Sequence, residues 1–228
     1  MALKCGIIGI TSVGKTTIFN CISNTRGETN TFGTGVKANL GVIQVPDSRL
    51  YELEKYQPTE RIVHTTVEIV DIPGLAKGQG DSSGARLLGE IRNTDALIHV
   101  LRCFDDDNLP HIDGSVNPVR DLENVELELQ VKDVESVVKK IQRLERAAKT
   151  GDKEARHGIE ILERYREHLE GFQNASSLEL RPEEKRVVDD IFLLTMKPVL
   201  YVCNVDEASA VDGNRYVDEV RNYLSARG

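Results

Sequence analysis

"GITSVGKTT", residues 9–17, closes an apolar run that begins at Lys4 and opens a run with helical spacing. Glycines at 9 and 14 keep Cβ atoms out of the turn, so successive backbone N–H groups can face an anion. The helix that follows aims its N-terminal dipole at the same point. Lys15 brings a positive charge to the outer phosphates of a nucleotide, and the Thr16 hydroxyl offers an oxygen to Mg²⁺. Gly9, Ser12, Val13, Gly14, Lys15, Thr16 and Thr17 are therefore candidate nucleotide-binding residues. Strand, glycine loop and helix in this order make the P-loop unit, which belongs to sheets covered by helices.

Reading outward, short β-branched runs alternate with helical ones. "KCGIIGI" (4–10) is the first strand, with a helix expected from Lys15 to Ser23. "LGVIQV" (40–45) and "HTTVEIVDI" (64–72) lie close enough in sequence to pair as antiparallel neighbours. "ALIHVLRCF" (96–104) and "PVLYVCNV" (198–205) are continuous apolar runs, as in strands buried on both faces. The expected fold is an α/β P-loop nucleotidase, a mostly parallel sheet covered by helices.

Between the last two strands, residues 122–172 are highly charged and free of proline. Leu127, Val131, Val134, Val138, Ile141 and Ala148 follow alternating four- and three-residue steps. Ile159, Leu162, Tyr165, Leu169 and Phe172 form a second stripe beyond the turn "KTGDKEA", where Gly151 stops one helix and Asp152 caps the next. The pattern describes an antiparallel helical, coiled-coil-like hairpin. An ordinary pair of helices packed on the body is the alternative; narrow stripes and charged flanks favour a projecting hairpin. "LRPEEKRVVDDIFLLT" (180–195) adds a helix with Pro182 in its first turn. The expected division is a nucleotide-binding domain at 1–120 and 195–228, lacking its last strand, with a helical insertion at 121–194.

Bulk composition fits a globular protein: 39% hydrophobic and 29% charged residues among 228, with a net charge of −8. An acidic chain can meet nucleic acid only through a local basic patch. Lys139, Lys140, Arg143, Arg146, Lys149 and Lys153, near the hairpin tip, make one and are candidate RNA contacts. A merely solvated helix face is the alternative. The four cysteines are far apart and form no C-x-x-C pair, and three lie in strand-like runs, so reduced thiols are expected. No apolar run approaches the roughly 18 residues of a membrane span, and "MALKCGIIGI" reads as a strand rather than a signal peptide. No membrane contact and a cytoplasmic location are expected.

"VEIVDIPGL" (67–75) supplies what a P-loop needs next. Asp71 ends an apolar strand, where its carboxylate can hold Mg²⁺ through water, and the Gly74 N–H is spaced to meet a γ-phosphate. Thr34 is the candidate mobile-loop threonine and metal ligand, with Thr29 and Thr31 close competitors. Leu75 follows Gly74 where a water-orienting glutamine would be useful, so intrinsic hydrolysis is expected to be slow. In "YVCNVDE", Asn204, Val205 and Glu207 stand where GTPases commonly place Asn-Lys-x-Asp. The lysine is missing and the final acid is one methylene longer, which weakens guanine selection.

These stretches, together with "IRNTDALIHVLRCFDDDN" (91–108), "GSVNPVRD" (114–121) and "LTMKPVLYVCNVDE" (194–207), resemble the YchF or Obg-like ATPase family in order over essentially the whole chain. The resemblance implies a nucleotidase that accepts ATP, often in preference to GTP, associates with ribosomes or ribosomal RNA, and carries a coiled-coil insertion in a G domain. It also implies His111, in "DDDNLPHIDG", as a catalytic residue that orients or deprotonates water; a surface histidine without a role is the alternative. The family's P-loop usually has Asn at the place of Ser12, so potassium activation is not expected. The switch stretches "TFGTGVKAN" and "GQGDSSGARL" also depart from the family, and the chain stops before the family's last G-domain strand and its TGS domain. Two rival functions remain at this point. One is a nucleotide-dependent binding module with negligible hydrolysis; the other is a small-molecule kinase, disfavoured by the Asp71-to-Gly74 element and Asn-x-x-Glu.

Overall fold

A computed structural model describes residues 2–23, 39–74 and 88–227. Its strands are β1 (Leu3–Ile8), β2 (Asn39–Gln44), β3 (Thr66–Asp71), β4 (Ala96–Arg102) and β5 (Val199–Asn204). They form one sheet in the order β2-β3-β1-β4-β5. β1 pairs in parallel with β3 and β4, while β2 runs antiparallel to β3, as expected for runs so close in sequence. Helices are α1 (Lys15–Ile22), α2 (Ser48–Tyr56), α3 (Pro118–Lys149), α4 (Lys153–Glu170), α5 (Pro182–Lys185) and α6 (Arg215–Arg227). Among the described residues no helix is long and apolar enough to cross a membrane.

The chain divides into two compact units. The first comprises 1–102, 106–114 and 200–204. Ile7 and Ile8 of β1, Ile69 of β3, Leu97 and Val100 of β4 and Phe19 of α1 are buried there. β1 and β4 are apolar on both faces, which the parallel, doubly covered centre of a sheet requires. α2 was not legible beforehand: it buries no residue, and what starts it is Asp47, which accepts from the Arg49 N–H at 3.0 Å.

The second unit comprises 103–105, 115–199 and 205–228. This differs from the expected division, since residues 115–120 and α6 fall here. α3 begins at an Asn117 cap with Pro118 behind it, and ends at Thr150 before Gly151, whose φ of 97° needs no Cβ. Asp152 accepts from the Glu154 and Ala155 N–H groups and starts α4. The helices pack along each other, and Gly158 lets them close, since a Cβ there would lie 3.3 Å from Leu144 Cδ1.

The expected stripe on α3 needs correction. Leu127 and Val131 are 41% and 48% exposed, while Leu122, Val125, Leu129, Val137 and Ile141 are buried. The buried stripe was hidden because Asp133 sits in it, fully buried. Its carboxylate accepts from the N–H groups of Leu194 and Thr195 at 2.7 and 2.8 Å and from the Thr195 hydroxyl at 2.7 Å. A charge so satisfied can occupy a core position. On α4, Leu162, Tyr165 and Leu169 are buried as expected, joined by Ala155 and Ile161, but Phe172 lies past the helix end and is exposed. The helix read over 180–195 shortens to α5 and a 3₁₀ segment, Arg186–Ile191. The four cysteines form no disulfide; Cys5 and Cys103 are buried, Cys203 half-buried, and Cys21 exposed on α1.

Candidate nucleotide site

β1 and β3 pair so that Ile7 faces Asp71, which sets Asp71 at the strand end beside the loop leaving β1. In that loop Gly9 has φ 145° and Gly14 φ 95°. A Cβ at Gly9 would come 2.5 Å from the Val100 carbonyl oxygen, and one at Gly14 2.4 Å from Asn204 Nδ2. Both glycines are therefore demanded by dihedral angle, and Gly9 by close approach to backbone as well, whereas at Gly14 the neighbour is a side-chain tip that can move. Ser12 holds φ 62° with a side chain present, a conformation asparagine tolerates better.

Lys15, the first residue of α1, is buried, and its Nζ donates to the Ile10 carbonyl at 2.6 Å. Burial lowers its ammonium to about 8, against an upward pull from the Asp71 carboxylate. Thr16 Oγ1 donates to Asp71 Oδ2 at 2.7 Å. Gly74 lies so near that a Cβ on it would meet Thr11 Cγ2 at 2.9 Å and Lys15 Nζ at 3.0 Å. Lysine, threonine, aspartate and the Gly74 backbone thus converge, as their spacing in sequence implied. Val13 joins them through its carbonyl, which accepts from Asn204 Nδ2 at 2.9 Å. Asn204 is thereby tied to the glycine loop through one N–H of its side-chain amide.

One residue here escaped the sequence reading. His99, in register with Ile8, is buried, and its Nε2 has no hydrogen-bond partner among the described residues. Burial first, and the Lys15 charge second, pull its pKa down to about 3, so the ring is neutral. It packs 5.8 Å from the Tyr201 ring, centroid to centroid. The available signal was a polar residue in the middle of "ALIHVL".

His111 sits half-exposed in the loop 106–114, and its Nδ1 accepts from the Asp113 N–H at 3.1 Å. That bond places the proton of the neutral ring on Nε2. Val205 and Glu207 lie in the second unit, at a 3₁₀ turn capped by Asp206, which accepts from the Ser209 N–H at 2.8 Å. Thr17 follows Thr16 on α1. Thr34, its competitors Thr29 and Thr31, and Leu75 lie outside the described residues.

The basic group on the hairpin is divided. Lys139, Arg146, Lys149 and Lys153 are exposed. Lys140 is not an outward-facing contact: its side chain is 11% exposed, and Nζ donates to the Val187 carbonyl at 2.6 Å and to the Asp190 carboxylate. Arg143 donates to the other Asp190 oxygen at 2.7 Å but stays largely exposed. Lys140 thus secures the 3₁₀ segment, because a half-buried ammonium takes acceptors within its own fold.

A glycine loop after the first strand of a mainly parallel sheet, with a buried lysine and a threonine–aspartate pair at its mouth, defines the class of P-loop nucleotide-binding proteins. Residues 4–149 match the family model described as 50S ribosome-binding GTPase, and the chain belongs to that family. It is 40% identical over 230 residues to "Ribosome-binding ATPase YchF" of Bacillus subtilis (strain 168), covering 99% of this chain and 63% of the relative. The like-named protein of Escherichia coli O157:H7 is 38% identical over 231 residues, covering 100% and 63%. The solved YchF GTPase of Schizosaccharomyces pombe superposes with a TM-score of 0.81 at 29% identity, covering 98% of this chain and 62% of that one. The resemblance to the YchF family read from the motifs is upheld. The chain spans under two thirds of the length of these relatives.

Proposed function

We propose that this chain binds ATP or GTP with Mg²⁺ at the glycine loop, accepts ATP over GTP, and hydrolyses the β–γ phosphoanhydride bond slowly as a regulatory, ribosome-associated nucleotidase of the cytoplasm. The observation that carries the reading is the convergence of Lys15, Thr16, Asp71 and Gly74 at the end of β1. A threonine hydroxyl and a carboxylate 2.7 Å apart are hard oxygen donors of the kind Mg²⁺ prefers. Thr16 would ligate the ion and Asp71 would hold it through water, with Thr34 a further ligand. When bound, the ion neutralises charge developing on the β- and γ-oxygens.

The chain's own residues do the rest. Gly9, Ser12, Val13, Gly14, Lys15, Thr16 and Thr17 wrap the phosphates, with the backbone N–H groups and the Lys15 ammonium facing negative charge. The Gly74 N–H adds a donor toward the γ-phosphate, and its closeness to Lys15 Nζ supports that role. Asn204, Val205 and Glu207 read the base; lacking the lysine and aspartate of the guanine pattern, they discriminate guanine weakly. His111 orients the attacking water. With Nδ1 engaged by the Asp113 amide, a donated Nε2–H suits that role better than proton abstraction. The helices of 121–194 act as an insertion whose exposed tip, Lys139, Arg143, Arg146, Lys149 and Lys153, meets ribosomal RNA. The names of the relatives, ribosome-binding ATPases, support this reading.

Leu75 favours one other reading, a binding module with negligible hydrolysis, because an apolar side chain cannot hold the attacking water. Competition between ATP and GTP in the presence of Mg²⁺, followed by single-turnover hydrolysis with and without ribosomes, separates the two. Tighter ATP binding with measurable turnover that responds to ribosomes supports the proposal. Nucleotide binding without turnover in either condition leaves only the binding module. Stronger binding of GTP overturns the base assignment.

A further inference from the structure

Arg102 is the last residue of β4, and its side chain is 2% exposed, among the bulkiest fully buried groups in the chain. A guanidinium cannot lose water without acceptors in return. Among its acceptors are two carbonyls of one loop: Nη1 donates to Leu109 O at 2.8 Å and Nη2 to Asp106 O at 3.3 Å. That loop, 106–114, packs in the same compact unit as β4. It consists of two consecutive turns. The first closes through Leu109 N–H to Asp106 O at 3.1 Å, and the second through Gly114 N–H to His111 O at 3.0 Å. Arg102 grips both ends of the first turn, and His111 opens the second two residues beyond Leu109.

We propose that Arg102 is a positioning residue that fixes the loop carrying His111 for hydrolysis. This rests on the reading of His111 as the water-orienting group. The fork geometry is central: two nitrogens on one rigid plane hold two carbonyls at a set separation, whereas the donors of a lysine all radiate from one freely rotating nitrogen and fix no such spacing. Because the charge is buried at the end of a central strand, moving the loop away would strip it of these acceptors. The loop is therefore anchored to the sheet at the strand adjoining β1, from which the phosphate loop also emerges. Arg102 touches no reacting atom in this scheme; it acts through the backbone of 106–109.

The test uses Arg102→Gln, Arg102→Lys, His111→Ala and the double variant Arg102→Gln/His111→Ala, with ATP and Mg²⁺. Single-turnover rate, nucleotide affinity and amide hydrogen exchange of 106–114 are read for each. Arg102→Gln is expected to slow hydrolysis on the order of 10- to 100-fold at nearly unchanged affinity. Its amides at 106–114 should exchange faster while those of the glycine loop do not. The double variant should be no slower than His111→Ala, and Arg102→Lys, which keeps the charge and folds most readily, should fall between. Unchanged exchange at 106–114, or an equal further loss of rate in the His111→Ala background, overturns the role of Arg102. Unchanged turnover in His111→Ala alone overturns the underlying reading of His111, and the exchange data then show separately whether Arg102 holds the loop.

Discussion

Thr16 Oγ1 donates to Asp71 Oδ2 at 2.7 Å, so the first helix and the third strand meet in one hydroxyl–carboxylate pair. The pair exists because β1 and β3 run parallel in a register that brings Asp71 opposite Ile7. Sequence separation is 55 residues; the sheet reduces it to a hydrogen bond.

Asp71→Asn should separate metal affinity from fold. The amide oxygen can still accept from Thr16, so the protein should remain folded, but the negative charge is lost. Loss of such an outer partner typically weakens metal affinity about 10- to 100-fold. Mg²⁺ titration against a fluorescent ATP analogue reads this directly, and an unaltered midpoint would remove Asp71 from the metal site.

Lys15 gives a pH signature. Its pKa is lowered from 10.5 to about 8 in the folded chain, chiefly by burial. Between those values the unfolded chain holds more protons, so this residue makes stability rise with pH across that window. Below about 8 the cost of the buried charge is fully present. Lys15→Met should therefore be more stable than the parent without nucleotide at pH 7, by roughly 1–3 kcal/mol, and the gap should narrow toward pH 10. Urea denaturation at both pH values checks it. Nucleotide binding should be lost in the variant at either pH.

His99 works at the acid end. Its pKa falls from 6.5 to about 3 on folding, through burial and then the Lys15 charge. The unfolded chain takes up the proton first as pH falls through 6.5, so stability drops between about 6.5 and 3. His99→Leu removes this pH-dependent liability. At pH 5 the variant should exceed the parent by about 2 kcal/mol, with little difference at pH 7.5. Parallel acid limbs in the two denaturation series would contradict the assignment.

Asp133 is the polar keystone of the second unit. Asp133→Ala leaves the N–H groups of Leu194 and Thr195 without their acceptor in a buried place. The expected cost is about 3–5 kcal/mol. Asp133→Asn, with one oxygen left, should cost less. Chemical denaturation followed by the helical circular dichroism signal ranks the three proteins, and equal midpoints would show that the bonds carry little net stability.

The glycine loop was legible in the order of residues because its pattern is local: Gly9, Gly14, Lys15 and Thr16 lie close together in the chain, and Asp71 and Gly74 sit at a recognisable strand end. Strands β1 and β4 were equally legible, since burial on both faces leaves continuous apolar runs. The equally apolar run of β5 misled, because that strand ends the sheet order and leaves Val199 and Leu200 exposed. The α3 stripe misled at Leu127 and Val131 because a buried carboxylate, Asp133, stands in the true one. Lys140 misled likewise, its charge being met by Val187 and Asp190 some 47 and 50 residues away. Sequence by itself determined the glycine loop, the Asp71-to-Gly74 element and where the strands run, because these follow from neighbours along the chain. Only the tertiary structure decided which charges are buried, what answers them and therefore which remain for a partner. Arg102, His99, Asp133 and Lys140 all belong to that second set, since desolvation depends on neighbours in space and periodicity records only neighbours in sequence.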